Sequence, residues 1–570
     1  MKSGESFFSV SGQNHKSRKK HLRALACLRQ PGFVVEVIKK HRCPQRILLA
    51  VLWFFQTVST GVYAGHAQPG QLTASPQQQE IPDLKKPNII LVLLDDLGWG
   101  DVGYNGNTYI ETPTIDRLAR EGTIFTDAYS NSPNCAPSRA ALMSGLYAPR
   151  TKVYTMVSGD LGDERLRTRL TPKNRMHLEP GFYTLAEMLK DQGYVTANIG
   201  KWNLGTGPVR GPEGQGFDVN IAGFRGGHPH KGYFAPYDLP GLEDAPEGEY
   251  LTNRLNDEAI KFIRQHKRDP FFIYLSHFAP HFPFQAEEPL TEKYRKKAVE
   301  HPDSDGMPEQ PEYAAMVESV DIGLARIVDT LVENKLDSNT LIIFTSDNGG
   351  MRGMSWLGNF RGEKSLIYEG GIRVPMFWWW PGQINAGKSG YPVMGIDIYS
   401  TLNDLLQGKA QALDGISLLG ELGLAKKEQQ GRAGNDKQAE KNREKVARRE
   451  AIFWYFPAYV EGENPDASDR YFQQRPVAAI RKSDWKLLLY LDSDRIELYN
   501  LALDSGEQNN VAKYQPAIVK ELTKALRQWL KKNGVAAPLK NNPAFDEAFA
   551  AQYSRSFFDR WIEWFSHLVK

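Results

Sequence analysis

Four short apolar runs along the chain each stop abruptly at polar residues. Asn88–Leu94, Tyr194–Ile199, Phe271–Ser276 and Leu341–Ser346 have the character of strands buried on both faces of a parallel sheet. Helical periodicities separate them: Thr184–Gln192, Leu251–His266, and a stretch in which Tyr313, Val317, Val320, Leu324, Ile327 and Leu331 recur at helical spacing. This alternation predicts an α/β fold with a large doubly wound, mostly parallel sheet flanked by helices. Trp378-Trp379-Trp380 ends another apolar run, and at least part of it is expected in the core. Further on, Val477–Ile480, Trp485–Leu491 and Ile496–Tyr499 read as short antiparallel strands followed by a helix over Ala517–Lys531, which predicts a smaller C-terminal α+β domain.

At 570 residues the chain exceeds what one small core serves, so a large and a small domain are expected. The main α/β domain is assigned to 86–420, a Lys-, Glu-, Gln- and Arg-rich solvated insertion to 421–450, the small domain to 451–535 and an amphipathic tail to 536–570. Before them, a basic stretch, the nine-residue run Ile47–Phe55 and the small-X-small pattern Gly65-His66-Ala67 read as a signal peptide over 1–67, cleaved near Ala67. Nine apolar residues are too few to span a bilayer, so the protein is expected to be exported, to the periplasm or beyond, without a stable membrane span. Residues 68–85, rich in Gln, Pro and Ser, form a flexible lead-in.

The leader changes how the charge reads. Residues 1–50 hold 11 Lys or Arg against 2 acidic residues, and removing that surplus of nine turns the formal +3 into −6. A mildly acidic body offers no electrostatic footprint for nucleic acid. With 41% hydrophobic and 24% charged residues, neither wholesale disorder nor a multi-span membrane protein fits. Cys27 and Cys43 fall in the leader, so the exported form keeps Cys135 as its one thiol and has no intrachain disulfide to make.

Candidate chemistry gathers where the strands end. Asp95-Asp96, Lys201, His277 to His281 and Asp347-Asn348 follow the four apolar runs, and in open parallel sheets the ligand crevice lies at the carboxyl ends of the strands. Adjacent buried carboxylates repel unless a cation intervenes. Together with Asp347 and Asn348 they make an oxygen donor set suited to Ca²⁺ or Mg²⁺. The run Ser132-Pro-Asn-Cys135-Ala-Pro137-Ser-Arg139 precedes an apolar helical stretch, with Pro137 placed to open the helix. Cys135 near a helix N-terminus is expected to have a lowered thiol pKa beside an anion site. Arg139, one turn on, can present a fork of donors to an oxyanion.

Cys135-Ala-Pro-Ser-Arg139 matches the signature Cys-X-Pro-Ser-Arg, and here the sequence resembles the type I sulfatases of the alkaline phosphatase superfamily. The resemblance extends over roughly residues 86–405 through Asp95-Asp96-Leu-Gly98, Thr112-Pro-Thr-Ile-Asp116, Gly200-Lys201-Trp202, the His281 segment, Asp347-Asn348-Gly349, Lys364 and Tyr368-Glu369-Gly370-Gly371. The C-terminal Glu497-Leu-Tyr-Asn500 looks similar too. It implies hydrolysis of a sulfate monoester, with Cys135 oxidised to formylglycine by a dedicated maturase. Asp95, Asp96, Asp347, Asn348 and the modified Cys135 would hold one divalent metal, Ca²⁺ in preference to Mg²⁺. Arg139 would hold the modified residue, Lys201 and Lys364 would neutralise the sulfuryl group, and His281 would bind sulfate or protonate the departing alcohol. The family usually carries His two residues after the first lysine, where this sequence has Asn203, and an amide cannot accept that proton.

A sulfated saccharide from a polysaccharide is the expected substrate, because the enzyme is exported. Phosphate or phosphonate monoester hydrolysis on the same fold, and a sulfated-glycan-binding relative impaired in turnover through Asn203, are the alternatives. Arg225, His228 and His230 in a Gly-rich loop, with Trp356, Asn359 and Arg361, are candidates to line a substrate subsite, and His277 is assigned to packing.

Overall fold

In the computed structural model, residues 86–553 are described, apart from 157–159, 161, 244, 301–306, 410, 425–448, 463, 465–468 and 470. The leader, the lead-in, most of the charged insertion and the tail from 554 onward lie outside the described residues.

All four apolar runs become strands of one eight-stranded sheet. Its order is Val219–Ile221, Val195–Gly200, Phe271–Ser276, Asn88–Leu94, Thr340–Ser346, Met376–Trp379, Thr123–Phe125 and Gly387–Ser389. The first five pair in parallel; Met376–Trp379 runs antiparallel to both neighbours, and the last pair is parallel again. The sheet is therefore mixed but mostly parallel. Every residue of Asn88–Leu94 is buried, because helices cover both faces. Leu251–Gln265 and Pro311–Glu333 pack with one face cluster, while Leu185–Asp191 and Ile396–Leu405 pack with the other. Thr184 caps its helix through a reciprocal bond with Glu187, satisfying two backbone donors that would otherwise be left free. All three tryptophans 378–380 are buried, on alternate faces of the sheet: Trp378 and Trp380 on one side and Trp379 on the other.

A second, antiparallel sheet is built from Ile452–Phe456, Val477–Lys482, Trp485–Tyr490 and Ile496–Asn500, with the helix Pro516–Lys532 against it. Its other face meets the main body through a buried charge cluster. Lys486 bridges Glu369 and Glu507 at 2.9 Å each, Tyr129 donates to Glu369 at 2.7 Å, and Glu507 accepts from the Glu369 backbone N–H at 2.6 Å. Glu369 opens a short helix that follows Lys364 by five residues, so the C-terminal sheet clamps the segment that carries one of the candidate cations.

Gly200 shows how close the strand ends approach. Its φ is +106°, and an added Cβ would stand 1.9 Å from the carbonyl oxygen of Ser276. That carbonyl accepts from Lys201 N–H at 2.7 Å. Gly200→Ala is expected to cost at least about 2 kcal/mol, from strain and displacement of this contact. Urea unfolding followed by circular dichroism checks it; an unchanged midpoint would refute the constraint.

Candidate functional site

The three central strands are laced together just beyond their ends. Asp95 N–H donates to Ala279 O at 3.2 Å, His277 N–H to Leu93 O at 2.9 Å and Asp347 N–H to Leu94 O at 3.1 Å. Asp96 then turns into the left-handed region, φ +66°, and its N–H approaches Asp347 Oδ1 at 3.3 Å. These turns bring Asp95, Asp96, Asp347 and Asn348 together, all with at most 3% exposure.

Cys135 is the first residue of the helix Cys135–Ser144, so Pro137 sits within the first turn and does not open it. Ser138 Oγ folds back to accept from Ser132 N–H at 3.0 Å and donate to Ser132 O at 2.9 Å, fixing the loop that precedes the cysteine. The expected lowered thiol pKa is corrected: burial raises it, and Lys201 and Lys364 offset this only in part while Asp95 and Asp347 add to it. Arg139 is likewise more committed than expected. It is fully buried, with Nε and Nη2 both 2.8 Å from Asp347 Oδ2 and Nη1 donating to Ser276 Oγ at 2.5 Å and to Lys201 O at 3.1 Å. Nε and Nη1 are therefore spent on Asp347 and two strand ends, while Nη2, though close to Asp347 Oδ2, is left without a hydrogen-bond partner.

Two lysines arrive from opposite sides. Lys201 Nζ lies 2.6 Å from Asp95 Oδ2, and Lys364 Nζ lies 2.6 Å from Asp96 Oδ2. Lys364 is set by its own N–H on Gly350 O, 2.9 Å, and the next residue ties it to the cysteine loop: Ser365 N–H donates to Pro133 O and Ser365 Oγ to Asn134 Oδ1, each at 2.9 Å. His281 donates from Nδ1 to Phe282 O at 2.9 Å, which turns Nε2 towards Asp96 Oδ2 at 3.6 Å. Burial lowers the His281 pKa to about 3, with Asp96 opposing and Lys364 and Lys201 reinforcing the shift.

Three carboxylates thus share a buried pocket with Arg139, Lys201 and Lys364. Burial pushes Asp95 upward despite Lys201, because Asp347 and Asp96 crowd it. Burial acts on Asp96 too, but Lys364, His281 and Lys201 outweigh it and hold Asp96 down. Within the carboxylate cluster, Asp95 Oδ1 and Asn348 Oδ1 are buried with no hydrogen-bond donor. Asn348 points its amide nitrogen at Asp96 Oδ1, 2.7 Å, which leaves its oxygen turned the other way. Ligand atoms of Asp95, Cys135 and Asp347 lie within 4.8 Å of one another, as do those of Asp95, Asp96 and His281. Orphaned hard oxygens beside crowded carboxylates fit a divalent cation.

Asn203 adopts φ +61° and uses its backbone and side-chain nitrogens on the Gly-rich loop, the backbone N–H donating to Phe224 O and Nδ2 to Arg225 O, each at 2.9 Å. From that loop His228 reaches the site, its ring parallel to His281 within 7° at 6.3 Å between centroids. Arg225 and His230 are exposed. His277 is buried with no hydrogen bond at either ring nitrogen, away from the carboxylate cluster, consistent with packing. Trp356 N–H is held by Asp101 at 2.7 Å, Asn359 is exposed, and Arg361 donates to Tyr499 Oη at 2.8 Å and caps the Tyr368 ring at 4.0 Å, so it serves the C-terminal sheet. Sequence reasoning missed Ser276, Ser365 and Lys486. Lys486 had a visible signal, a lone charge inside a strand that is otherwise apolar.

Comparison with known proteins bears on this pocket. The Sulfatase family model matches residues 87–408. A protein of Formosa agariphila described as a sulfatase is 31% identical over 525 residues, 79% of this chain and 89% of its own. Human N-acetylgalactosamine-6-sulfatase is 34% identical over 366 residues, 58% of this chain and 65% of its own length. The structure of Ps i-CgsB in complex with k-i-k-neocarrahexaose superposes with a TM-score of 0.62 at 29% identity, over 83% of this chain and 99% of that one. A phosphonate monoester hydrolase of Agrobacterium radiobacter shares the fold, with a TM-score of 0.55 at 21% identity over 78% and 96% of the two chains.

His277 gives this region a pH signature. Burial lowers its pKa from 6.5 to about 3, so the unfolded chain binds the proton more tightly and stability falls as pH drops below 6.5. Between pH 7.5 and pH 5 the wild type is expected to lose about 2 kcal/mol more than His277→Leu. Urea midpoints at the two pH values measure this; identical losses would show that the ring is not titrating from a buried neutral state.

Proposed function

The chain belongs to the sulfatase family and is a sulfuric ester hydrolase; from that premise we propose that it removes sulfate from a sulfated saccharide of a polysaccharide, using a formylglycine made from Cys135. The observation that carries this reading is the convergence of Asp95, Asp96, Asp347 and Asn348 beside Cys135, with Lys201 and Lys364 paired to the first two carboxylates. Relatives named for N-acetylgalactosamine 6-sulfate and a structural relative crystallised with a carrageenan oligosaccharide support a saccharide as the alcohol. Asp95, Asp96, Asp347, Asn348 and the modified residue 135 would hold the divalent cation, for which Ca²⁺ is our assignment. When bound, the cation supplies positive charge to a sulfate oxygen, and the formylglycine, as a hydrated aldehyde, supplies a hydroxyl nucleophile.

The remaining work falls to fixed side chains. Three carboxylates already face three cations, so a bound divalent ion leaves the pocket net positive and fit for an anionic ester. Lys201 and Lys364, held on carboxylates by the fold, offer ammonium groups where charge develops on the sulfuryl oxygens, at little cost in reorganisation. Arg139 keeps Asp347 and the ends of two strands in register, which fixes the ligand carboxylate that faces residue 135. His281, pinned through Phe282, sets one wall of the sulfate pocket. Among the described residues no helix is long and apolar enough to cross a membrane. Export behind the leader and modification by a maturase that acts on Cys135 complete the reading.

Free sulfate released from a panel of sulfated oligosaccharides is the direct test, with Cys135→Ala expected to lower release at least about 10³-fold while leaving the unfolding midpoint near wild type. Peptide mass spectrometry of active protein is expected to find formylglycine at position 135. An intact thiol in fully active protein, or phosphate esters turned over in preference to sulfate esters, would overturn the proposal.

Chelation probes the cation separately. Removing divalent metal is expected to lower both sulfate release and Tm, with Ca²⁺ restoring both. A Tm indifferent to chelation and to added Ca²⁺ would argue against a metal in this carboxylate cluster.

A further inference from the structure

Asp101 is fully buried, and among the described residues it has no cationic partner. A carboxylate in such a place is costly unless hydrogen-bond donors meet it. Four do. Oδ2 accepts from Gly98 N–H at 2.8 Å, from Ser355 Oγ at 2.6 Å and from Tyr313 Oη at 2.6 Å, and Oδ1 accepts from Trp356 N–H at 2.7 Å. The donors come from three separate segments of the chain, so one carboxylate draws those segments together.

On one side lies the turn that carries Asp96. Gly98 is two residues beyond it, and Tyr313 Oη stands 3.2 Å from the Asp96 carbonyl oxygen. On the other side lies the segment 350–356, which Ser355 N–H closes onto Met351 O at 2.9 Å. The Ser355 side chain is wedged between the two: an added Cβ would stand 2.0 Å from Ser355 Oγ at Gly98 and 2.1 Å at Gly350. This same segment is the bed for Lys364. Gly350 O accepts from Lys364 N–H at 2.9 Å, and Arg352 N–H donates to Glu363 Oε2 at 2.9 Å. Lys364 Nζ, 2.6 Å from Asp96 Oδ2, then closes the circuit back to the turn. The turn has ties of its own, from Asp95 N–H to Ala279 O at 3.2 Å and from Leu97 N–H to Ser346 Oγ at 3.1 Å. Losing Asp101 therefore releases the bed beneath Lys364 while these ties still hold the carboxylates.

We propose that Asp101, acting through Ser355, is a positioning residue that sets Lys364 against Asp96 for work on the sulfuryl group. It rests on the sulfate-ester reading above. Asp101 touches neither the ester nor the reacting atoms; it fixes where the Lys364 ammonium stands. A fixed cation is useful only where charge develops, and a displacement of about 1 Å can cost about 10²-fold in rate.

The test is a set of double-mutant cycles on formylglycine-bearing protein, read as sulfate release from the best-cleaved oligosaccharide of the panel. Asp101→Asn is expected to lower kcat/KM about 30-fold in the wild-type background, less than about threefold in Lys364→Met and again about 30-fold in Lys201→Met. A merely structural loosening would cost the same in all three backgrounds. Ser355→Ala removes one donor and leaves three, and is expected to show the same pattern at about fivefold, so the assignment stands or falls even where Asp101→Asn does not fold. Equal losses across the backgrounds, or full activity in either variant, would overturn the role of Asp101 and leave the sulfatase reading intact. A wild type that releases no sulfate from any oligosaccharide would overturn both.

Discussion

Three aspartates at the ends of two adjacent parallel strands are buried almost completely, and the rest of the pocket answers to the cost of keeping them there. An unpaired carboxylate in such surroundings is destabilising by several kcal/mol, so each must meet a cation of good geometry. Arg139 comes from the helix that begins at Cys135, Lys201 from the end of Val195–Gly200, one strand removed from Asn88–Leu94, and Lys364 from a long loop. Three segments far apart in sequence are therefore drawn to one point by one electrostatic demand. The pairing also explains why Cys135 is where it is: the helix that delivers Arg139 to Asp347 starts with the cysteine, four residues earlier on the same face.

A second buried cluster repeats the device for a different end. Lys486, Glu369, Glu507 and Tyr129 join the C-terminal sheet to the main body, with Arg373 and Arg481 at the rim. Here the ions fix one sheet against another. Because Glu369 follows Lys364 closely, and Ser365 is bonded to the cysteine loop, the lock reaches the pocket through a short and well-held segment. The smaller sheet thus acts as a support for the site as well as an independent packing unit.

The parallel strands were legible because both faces are covered, which writes a continuous apolar run into the sequence; their bounds differ from the observed ones by at most a residue or so. The short strands Met376–Trp379 and Thr123–Phe125, which bring in the antiparallel pairings, are harder to place, since three or four residues carry little pattern. At the site, the carboxylates, the cysteine and both lysines declared themselves by type and by position after strands. What the chain could not declare was how its cations are spent. A helix start suggested a lowered thiol pKa, but desolvation outweighs the two lysines, and Asp95 and Asp347 add to the rise. An arginine one turn from a cysteine suggested a fork of donors, and a buried aspartate claims its Nε while Nη2 is left without a hydrogen-bond partner. Such competition depends on distances that local sequence does not contain. Lys486 was passed over for a related reason, because a lysine in a strand is normally solvated and only tertiary contact makes it a buried bridge.

Asn203 shows the same competition at a single position. The backbone there is left-handed, a conformation that asparagine tolerates better than most residues, and its backbone and side-chain nitrogens each donate to the loop that follows. An amide donor fixed to a carbonyl is a good strut and a poor proton carrier, since it has no accessible charged form. The loop it secures is the one that brings a partly buried imidazole, free at both nitrogens, to within ring-contact distance of His281. Position 203 therefore carries a structural duty, that of a strut between its own strand end and the Gly-rich loop. A residue with that duty is constrained by its two carbonyl partners and by its left-handed backbone together, because a side chain that lost the amide donor would leave the Arg225 carbonyl without this bond while still having to meet φ +61°.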